Sequence, residues 1–420
     1  MRALYDLAWY AALPLLPLRL WWRGRREPGY REKIPERFGR YDARDVPRNV
    51  VWVHAVSLGE TRAAAPLVAR ILREMPDATV LLTHMTATGR AAGAALAGER
   101  VVQAWLPYDV PFAVRRFLAH WKPRMAMLME TEMWPNLVAT CAATGVPLYL
   151  VNARLSERSL RGYARFAGLT RPMFAALGGV AAQTQDDARR LREAGARDVE
   201  VTGNVKFDIE AGEAVRARGR ALRTLLGNDR PVFVAASTRE GEEALVLDAL
   251  ARQPLPDDAL TVIVPRHPQR FDEVAALLDA RGLAYVRRSA NAAVPRGVRW
   301  VLGDSLGELL AYYAAADVAF VGGSLVPLGG QNMIEPIAAG TPTLFGPHTF
   351  NFAEAASQAV AAGAALRVGD AGAMVREADA LLRDPARRSR MREAALAFHA
   401  AHRGATDRLW RWISSRSTGG

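Results

Sequence analysis

The chain of 420 residues carries 55 lysines and arginines against 43 aspartates and glutamates, a formal net charge of +12 at pH 7. Half of its residues are hydrophobic, which fits a globular protein of two or three domains and excludes extensive disorder. The charge favours an anionic partner, but nucleic acid is not expected, because we find no zinc-finger spacing, aromatic RNA-binding run or recognition helix. The single cysteine, Cys141, cannot form an internal disulfide and is predicted to be buried in a reducing compartment.

Residues 1–48 are predicted to form a membrane-associating segment with a basic flank. Residues 4–22 are nearly all apolar, although Asp6, Pro14 and Pro17 weaken a simple spanning helix. The basic side chains at the end of this segment and beyond it are Arg19, Arg23, Arg25, Arg26, Arg31, Lys33, Arg37 and Arg40. Such a run suits anionic headgroups on the cytoplasmic side of a membrane. Whether the segment spans the bilayer or lies on it stays open, and the alternative is a domain-capping helix with a solvated basic face.

From residue 50 onward, apolar strand-like runs alternate with amphipathic helical runs, which is typical of parallel sheets covered on both faces. The strand-like runs are Val50–Val56, Thr79–Thr83, Val101–Trp105, Arg124–Met129, Pro147–Val151, Val180–Gln183, Val199–Thr202, Val232–Ala236, Leu260–Val264, Ala284–Arg287, Arg299–Leu302, Val318–Val321 and Thr341–Phe345. We therefore predict two doubly wound α/β domains, residues 49–207 and 231–420, which face a cleft. An arginine-rich linker, residues 208–230, would join them, and the last helix could cross back to the first domain.

The first strand runs into the sequence HAVSLGE, which ends at Glu60. A carboxylate near a helix N-terminus is stabilised by the helix dipole and can take a proton from an attacking hydroxyl. Ser57 and Glu60 also have the spacing of a capping box, in which the glutamate only closes the helix end. Both interpretations stay open from the motif alone.

Polar residues also end later strands of the first half. Glu130 and Glu132 follow the fourth strand, and in an extended chain they would share one face unless a turn begins there. Helix capping is the alternative for this pair. The sequence TGNVKFD places Lys206 at the start of the predicted linker.

Two adjacent strand-to-helix turns in the second half predict a nucleotide site: a loop with two glycine turns after residues 318–321, and a turn with Gly346 and Pro347 after the next strand. Residues 318–321 form an apolar strand that runs into residues 322–324, and a second glycine pair, residues 329–330, precedes a helix predicted to start at Asn332. Glycines let a phosphate approach the backbone, and N–H groups at a helix start favour anionic oxygen. Glu335 could then reach a sugar hydroxyl. The alternative is that the glycines only close tight turns.

Further polar residues follow neighbouring strands of this half. Pro265 and Arg266 end one strand, and arginine binds phosphate or carboxylate through paired hydrogen bonds. Leu306, Gly307 and Glu308 form another turn. A metal site is not expected, since the histidines have no metal-binding spacing and no Asp-x-Asp occurs.

Six motifs in this order resemble the 3-deoxy-D-manno-octulosonic acid (Kdo) transferases of Gram-negative bacteria, and the resemblance covers essentially the whole chain. The motifs are HAVSLGE, ETEMWPNL, NARLSERS, TGNVKFD, PRHPQRF and FVGGSLVPLGGQNMIEP. The resemblance implies a glycosyltransferase-B fold and an inverting enzyme that needs no metal or other cofactor. It also implies CMP-Kdo as donor, the lipid A precursor (lipid IVA) as acceptor, and a place on the cytoplasmic side of the inner membrane.

The same resemblance assigns site residues. It implies that Glu60 is the general base and that Glu130 and Lys206 stabilise the transition state. The implied CMP-binding residues are Pro265, Arg266, Leu306, Gly307, Glu308, Asn332, Met333, Ile334 and Glu335.

Two other functions are compatible with these patterns. A nucleotide-sugar epimerase shares the two-domain architecture but needs no membrane segment. A non-catalytic glycolipid-binding protein would use the basic surface and have no use for Glu60.

Overall fold

The computed structural model describes residues 1–25, 27–42, 47–209 and 212–417 of the chain, which folds into two compact units. The first unit comprises Met1–Asp208 and the chain from Gly404 onward, and the second comprises Ile209–Arg403. Arg26 of the predicted basic flank, residues 210–211 of the predicted linker and residues 418–420 lie outside the described residues.

The described part of the first unit contains a seven-stranded parallel sheet with the strand order β3-β2-β1-β4-β5-β6-β7. Its strands are β1 (Val50–His54), β2 (Thr79–His84), β3 (Val101–Trp105), β4 (Met125–Met129), β5 (Leu148–Ala153), β6 (Gly179–Ala182) and β7 (Val199–Val201). Its helices are α1 (Arg2–Ala12), α2 (Leu15–Arg23), α3 (Leu58–Glu74), α4 (Ala87–Ala94), α5 (Pro111–Trp121), α6 (Pro135–Ala143), α7 (Glu157–Ala164), α8 (Ala167–Ala175), α9 (Gln185–Ala194) and, from the end of the chain, α18 (Ala405–Ser417).

Strand β1 shows why this sheet forms. All five of its residues are buried, because helices cover both faces of the sheet and leave no polar side. Trp52 packs on one face with Phe117 at a ring distance of 4.7 Å, and Val51 and Val53 pack on the other. Strand order reverses between β1 and β4, and this is the position where doubly wound sheets place their ligands.

Helix α18 belongs to the first unit although it ends the chain. Its N-terminal N–H groups, with that of Gly404, donate to the Asp208 carboxylate, and Trp412 and Ile413 pack into the core on one face of the sheet. The side chain of Asp208 therefore caps the N-terminus of α18, which lies almost two hundred residues later in the chain.

The second unit contains, in its described part, a seven-stranded parallel sheet with the order β10-β11-β9-β8-β12-β13-β14. Its strands are β8 (Val232–Thr238), β9 (Leu260–Pro265), β10 (Tyr285–Arg287), β11 (Trp300–Leu302), β12 (Val318–Val321), β13 (Thr343–Phe345) and β14 (Ala365–Arg367). Its helices are α10 (Glu213–Leu226), α11 (Glu242–Arg252), α12 (Phe271–Asp279), α13 (Leu309–Ala315), α14 (Ile334–Ala338), α15 (Ala353–Ala361), α16 (Ala371–Arg383) and α17 (Pro385–His402). Here the strand order reverses between β8 and β12.

The predicted doubly wound α/β architecture is confirmed in both units. Strand β14 was not predicted, and the helix predicted to start at Asn332 begins two residues later as α14.

The N-terminal segment forms two short helices, α1 and α2, joined at residues 13–14. Leu16 and Leu20 face the protein and are buried, whereas Leu4, Leu7, Leu15 and Leu18 are between 63% and 71% exposed. In the described ranges, no helix combines the length and apolar character needed to cross a membrane.

Candidate active site

Glu60 lies in the first turn of α3, at the carboxyl end of β1. Its Oε2 accepts the backbone N–H of Val56 at 2.8 Å and its Oε1 accepts the Ser57 hydroxyl at 3.0 Å, while Ser57 Oγ accepts the Glu60 N–H at 3.4 Å. The capping geometry is therefore present, which confirms that interpretation of the motif. The same contacts hold the carboxyl group at the point where the strand order reverses, so capping and a catalytic role are compatible. The catalytic role stays a prediction.

The electrostatics of Glu60 differ from the prediction. The helix dipole was expected to stabilise its carboxylate, but burial, followed by the negative charge of Glu130, raises the pKa of the Glu60 carboxyl to about 7. The hydrogen bonds from Val56 and Ser57 oppose this increase without cancelling it. A carboxyl group with a pKa near the working pH is suited to general-base catalysis.

Glu130 is buried at the end of β4, the strand next to β1. Lys206 Nζ lies 2.5 Å from its Oε1, and Arg154 Nε lies 3.2 Å from its Oε2. A backbone φ of 60° at Glu130 shows that the turn starts there, so Glu130 and Glu132 do not share one face of an extended strand. Burial raises the pKa of the Glu132 carboxyl group.

Lys206 reaches Glu130 because the short helix that carries it, Val205–Asp208, is tied to the sheet. Asn152 Oδ1 accepts the backbone N–H of Val205 at 3.1 Å. Asn152 itself has a φ of 51°, and the pairing of β5 with β6 is irregular at this point. The structure thus brings Glu60, Glu130 and Lys206 together at one edge of the first sheet. Asn152 and Arg154, which lie in the NARLSERS motif, complete the group.

Arg266 follows Pro265, the last residue of β9, on the corresponding edge of the second sheet. Its N–H donates to Thr238 O at 3.0 Å, and its Nε donates to Gln331 Oε1 at 3.2 Å. The side chain is therefore aimed at the second glycine turn, on the loop between β12 and α14.

The backbone N–H groups of the first glycine turn, residues 323–325, are bonded within the protein. The N–H groups of Gly323, Ser324 and Leu325 donate to the buried Glu242 carboxylate at 2.5, 2.9 and 2.9 Å. Gly322 is required here because a Cβ atom would lie 2.6 Å from Ser237 O. The first turn is thus closed by the protein itself, which favours the alternative that its glycines only close a tight turn.

Residues 332–335 lie where the second turn enters α14. Asn332 Nδ2 donates to Glu335 Oε1 at 3.1 Å, and Asn332 Oδ1 accepts the N–H of Ile334 at 3.1 Å. The side chains of Met333 and Ile334 are buried, so only their backbone could contact a ligand.

Leu306, Gly307 and Glu308 follow β11, the neighbour of β9. Leu306 is 73% exposed, Gly307 has a φ of 77°, and Glu308 Oε1 accepts Arg288 Nη2 at 2.9 Å. Parallel strands end at the same sheet edge, so this turn and Arg266 lie on neighbouring positions of that edge.

Among the residues that the structure describes, no group of three or more His, Cys, Asp and Glu side chains is arranged to hold a metal ion.

Comparisons with known proteins agree with this architecture. Residues 32–209 match the family model described as 3-deoxy-D-manno-octulosonic-acid transferase (kdotransferase), and residues 283–398 match the glycosyl transferases group 1 model. A 3-deoxy-D-manno-octulosonic acid transferase of Bordetella pertussis is 52% identical, with 97% of each chain covered. Its counterpart in Haemophilus influenzae is 37% identical over 91% of each chain.

A solved UDP-GlcNAc 2-epimerase from Neisseria meningitidis is similar with a TM-score of 0.58, over 87% of this chain and all of that one. Its 14% identity shows the fold alone. The fold is of the glycosyltransferase-B type, as predicted. Because the match to the Bordetella protein spans nearly the full length at half identity, this chain belongs to the 3-deoxy-D-manno-octulosonic acid transferase family and is a glycosyltransferase.

Proposed function

We propose that this enzyme transfers Kdo from CMP-Kdo to the lipid A precursor, lipid IVA, with inversion at the anomeric carbon of Kdo. The first unit would bind the acceptor and the second the nucleotide sugar. The observation that carries the proposal is the position of Glu60: its carboxyl group is fixed at the end of β1 with a pKa of about 7, beside the buried Glu130.

In the proposed step, a hydroxyl group of the acceptor gives its proton to Glu60 as its oxygen attacks the anomeric carbon of Kdo. The new C–O bond forms on the face opposite the phosphate, the bond from that carbon to the phosphate oxygen breaks, and CMP leaves with the bonding electrons. The hydrogen bonds from Val56 and Ser57 hold the carboxyl group in one orientation for this transfer.

Charges around this step are supplied by the other predicted residues. The ion pair of Lys206 with Glu130 offsets negative charge near Glu60, since Glu130 alone would oppose ionisation of the base. Arg266 would stabilise the phosphate as it leaves, and Glu335 would hold the ribose. We propose backbone contacts for Met333 and Ile334, and contacts of residues 306–308 at the rim of the nucleotide site.

We also propose that the enzyme binds the cytoplasmic surface of the inner membrane through α1 and α2. Both helices carry exposed leucines, and Trp21 and Trp22 on α2 are 48% and 60% exposed. Arginine side chains flank these rings, with the Arg25 guanidinium 4.1 Å from the Trp21 ring centre. Leucine and tryptophan beside arginine are typical of helices that lie in a membrane interface with anionic lipids.

Transfer from CMP-Kdo to purified tetraacylated lipid A precursor tests the proposal. We expect a product heavier than the acceptor by one or more Kdo residues, and its mass counts the sugars added. Loss of transfer in E60Q with unchanged CMP affinity would support the role of the base. A wild-type protein that binds CMP but forms no product would contradict the acceptor and leave epimerisation as the next reaction to assay.

A further inference from the structure

The carboxylate of Glu242 occupies an anion-binding concavity in the second unit. It is fully buried at the start of α11, and its described partners are four backbone N–H groups. Three come from consecutive residues after β12, and the fourth is the N–H of Arg239 at 3.0 Å. Successive N–H groups that converge in this way form the kind of site that binds phosphate in nucleotide-binding turns.

This filled turn is joined directly to the second glycine turn. The N–H of Gly330 donates to Gly323 O at 2.7 Å, and the N–H of Gln331 donates to Gly322 O at 2.9 Å. Arg266 contacts the same second turn through Gln331. A nucleotide whose phosphate lay near Arg266 and the second turn would thus have the Glu242-filled turn beside it.

A second phosphate has no place in the first turn. To bind its N–H groups it would have to displace a buried carboxylate that already has four donors, and the two negative charges would repel each other in a poorly solvated position. A donor with one phosphate needs no such displacement.

We propose that Glu242 is a specificity-determining residue, which closes this anion site and so restricts the enzyme to nucleoside monophosphate donors. The inference rests on the proposed function, because CMP-Kdo carries a single phosphate. It extends that function by making Glu242 responsible for the discrimination against nucleoside diphosphates. Glu242 would act through its contacts with the backbone and need not touch the nucleotide.

Calorimetric binding of CMP and CDP, without divalent metal, tests the inference on the full-length protein. The wild type should bind CMP at least tenfold more tightly than CDP. In E242A this preference should shrink tenfold or more, mainly because CDP binds more tightly once the four N–H groups are open to its second phosphate.

Glu243 offers the matched control. It is the next residue of α11 and equally buried, but its carboxylate bonds Thr238 Oγ1 and Arg270 instead of the turn. The variant E243A should therefore keep the wild-type preference for CMP even if it loses stability.

Several outcomes would overturn the inference. If the wild type binds CDP as tightly as CMP, the inference is overturned, and this result needs neither variant to fold. If folded E242A keeps the wild-type preference for CMP over CDP, the inference is overturned but the proposed function is not affected. A wild type that binds neither nucleotide would overturn the proposed function, and this inference with it.

Discussion

Asn152 Oδ1 accepts the backbone N–H of Val205 at 3.1 Å, and this bond helps to position Lys206. The next residue, Lys206, then reaches Glu130 on the neighbouring strand β4. Two sequence motifs that are about fifty residues apart are thereby joined at the sheet edge that carries Glu60. The positive charge of Lys206 is thereby held against the negative charge of Glu130, next to the proposed base Glu60.

Replacing Lys206 with methionine should abolish most transfer and destabilise the fold. Glu130 is 7% exposed at its side chain, so removal of Lys206 leaves a buried carboxylate with Arg154 as its remaining cation. Breaking a buried ion pair costs about 3–5 kcal/mol, and we expect the lower end because Arg154 stays. Urea denaturation and the transfer assay measure the two effects.

The double variant K206M/E130Q separates structure from catalysis. Removing both charges should restore most of the stability, because no uncompensated carboxylate is left in the core. Transfer should stay low, since the charge arrangement beside Glu60 is gone. Full recovery of transfer in the double variant would contradict the proposed role of this pair.

Glu60 should make transfer and stability depend on pH in opposite directions. The base must be ionised to accept a proton, so the rate should rise as pH increases through about 7. E60Q should lose transfer by roughly 10²- to 10⁴-fold, the range of general-base catalysis, with CMP affinity unchanged. A pH–rate profile of the wild type and single-turnover assays of the variant measure both effects.

For stability, the pKa of Glu60 is higher in the folded protein, about 7, than its ordinary value of 4.5. The protonated carboxyl group therefore contributes stability fully below pH 4.5, and this contribution is lost as pH rises through 7. E60Q cannot ionise, so it should become more stable than the wild type above pH 7, by up to roughly 3 kcal/mol at about 1.4 kcal/mol per pKa unit. A stability difference that stays constant between pH 5 and 8 would rule out the raised pKa.

Much of the fold could be predicted from the apolar runs because each central strand is buried on both faces and therefore has a continuous hydrophobic sequence. Strand β12, Val318–Val321, was predicted to the residue for this reason. Strand β14, Ala365–Arg367, was missed because a three-residue edge strand within an alanine-rich segment has no β-branched run. Its position depends on pairing with β13, a tertiary contact.

The candidate site was predictable only in part. Glu130 directly follows a strand, Glu60 lies in the helix turn after β1, and Lys206 lies on a short helix after β7. All three stand in motifs that the sequence displays directly. Glu242 could not be found in this way, because a glutamate in the first turn of a helix usually compensates the helix dipole at the surface. Three of its four partners lie about eighty residues later in the chain, so only the folded backbone reveals what it binds.

Asp208 is predicted to hold the C-terminal helix α18 in place. Its carboxylate accepts the N–H groups of Gly404, Ala405 and Thr406 at 2.7, 3.2 and 2.5 Å. D208A should lower stability by about 1–2 kcal/mol, as for other lost helix caps, and loosen α18. Trypsin cleavage at Arg408 and Arg411 should then become faster, which gel analysis of a digestion time course measures.

Asp384 provides the control for this experiment. It caps α17 in the second unit by accepting the N–H of Arg387 at 2.9 Å. D384A should cost a similar amount of stability without accelerating cleavage within α18. Equal cleavage at Arg408 in both variants would show that Asp208 has no specific effect on the last helix.

The exposed leucines of α1 should determine membrane binding. Leu4 and Leu7 are 71% and 65% exposed, so their replacement by glutamate removes apolar contact with lipid and adds repulsion from anionic headgroups without disturbing the core. Burial of one leucine side chain is worth about 1.5–3 kcal/mol, and L4E/L7E should therefore bind vesicles containing phosphatidylglycerol at least tenfold more weakly. Flotation of the protein with such vesicles measures the effect.

Leu245 on α11 of the second unit is the matched control, because it is also exposed, at 44%, but lies far along the chain from the basic flank. L245E should float with vesicles as the wild type does. Since the arginines near α2 add an electrostatic contribution, higher salt should weaken binding of the wild type and of L245E alike. Undiminished flotation of L4E/L7E would mean that a different surface holds the enzyme at the membrane, and the docking proposal would have to be abandoned.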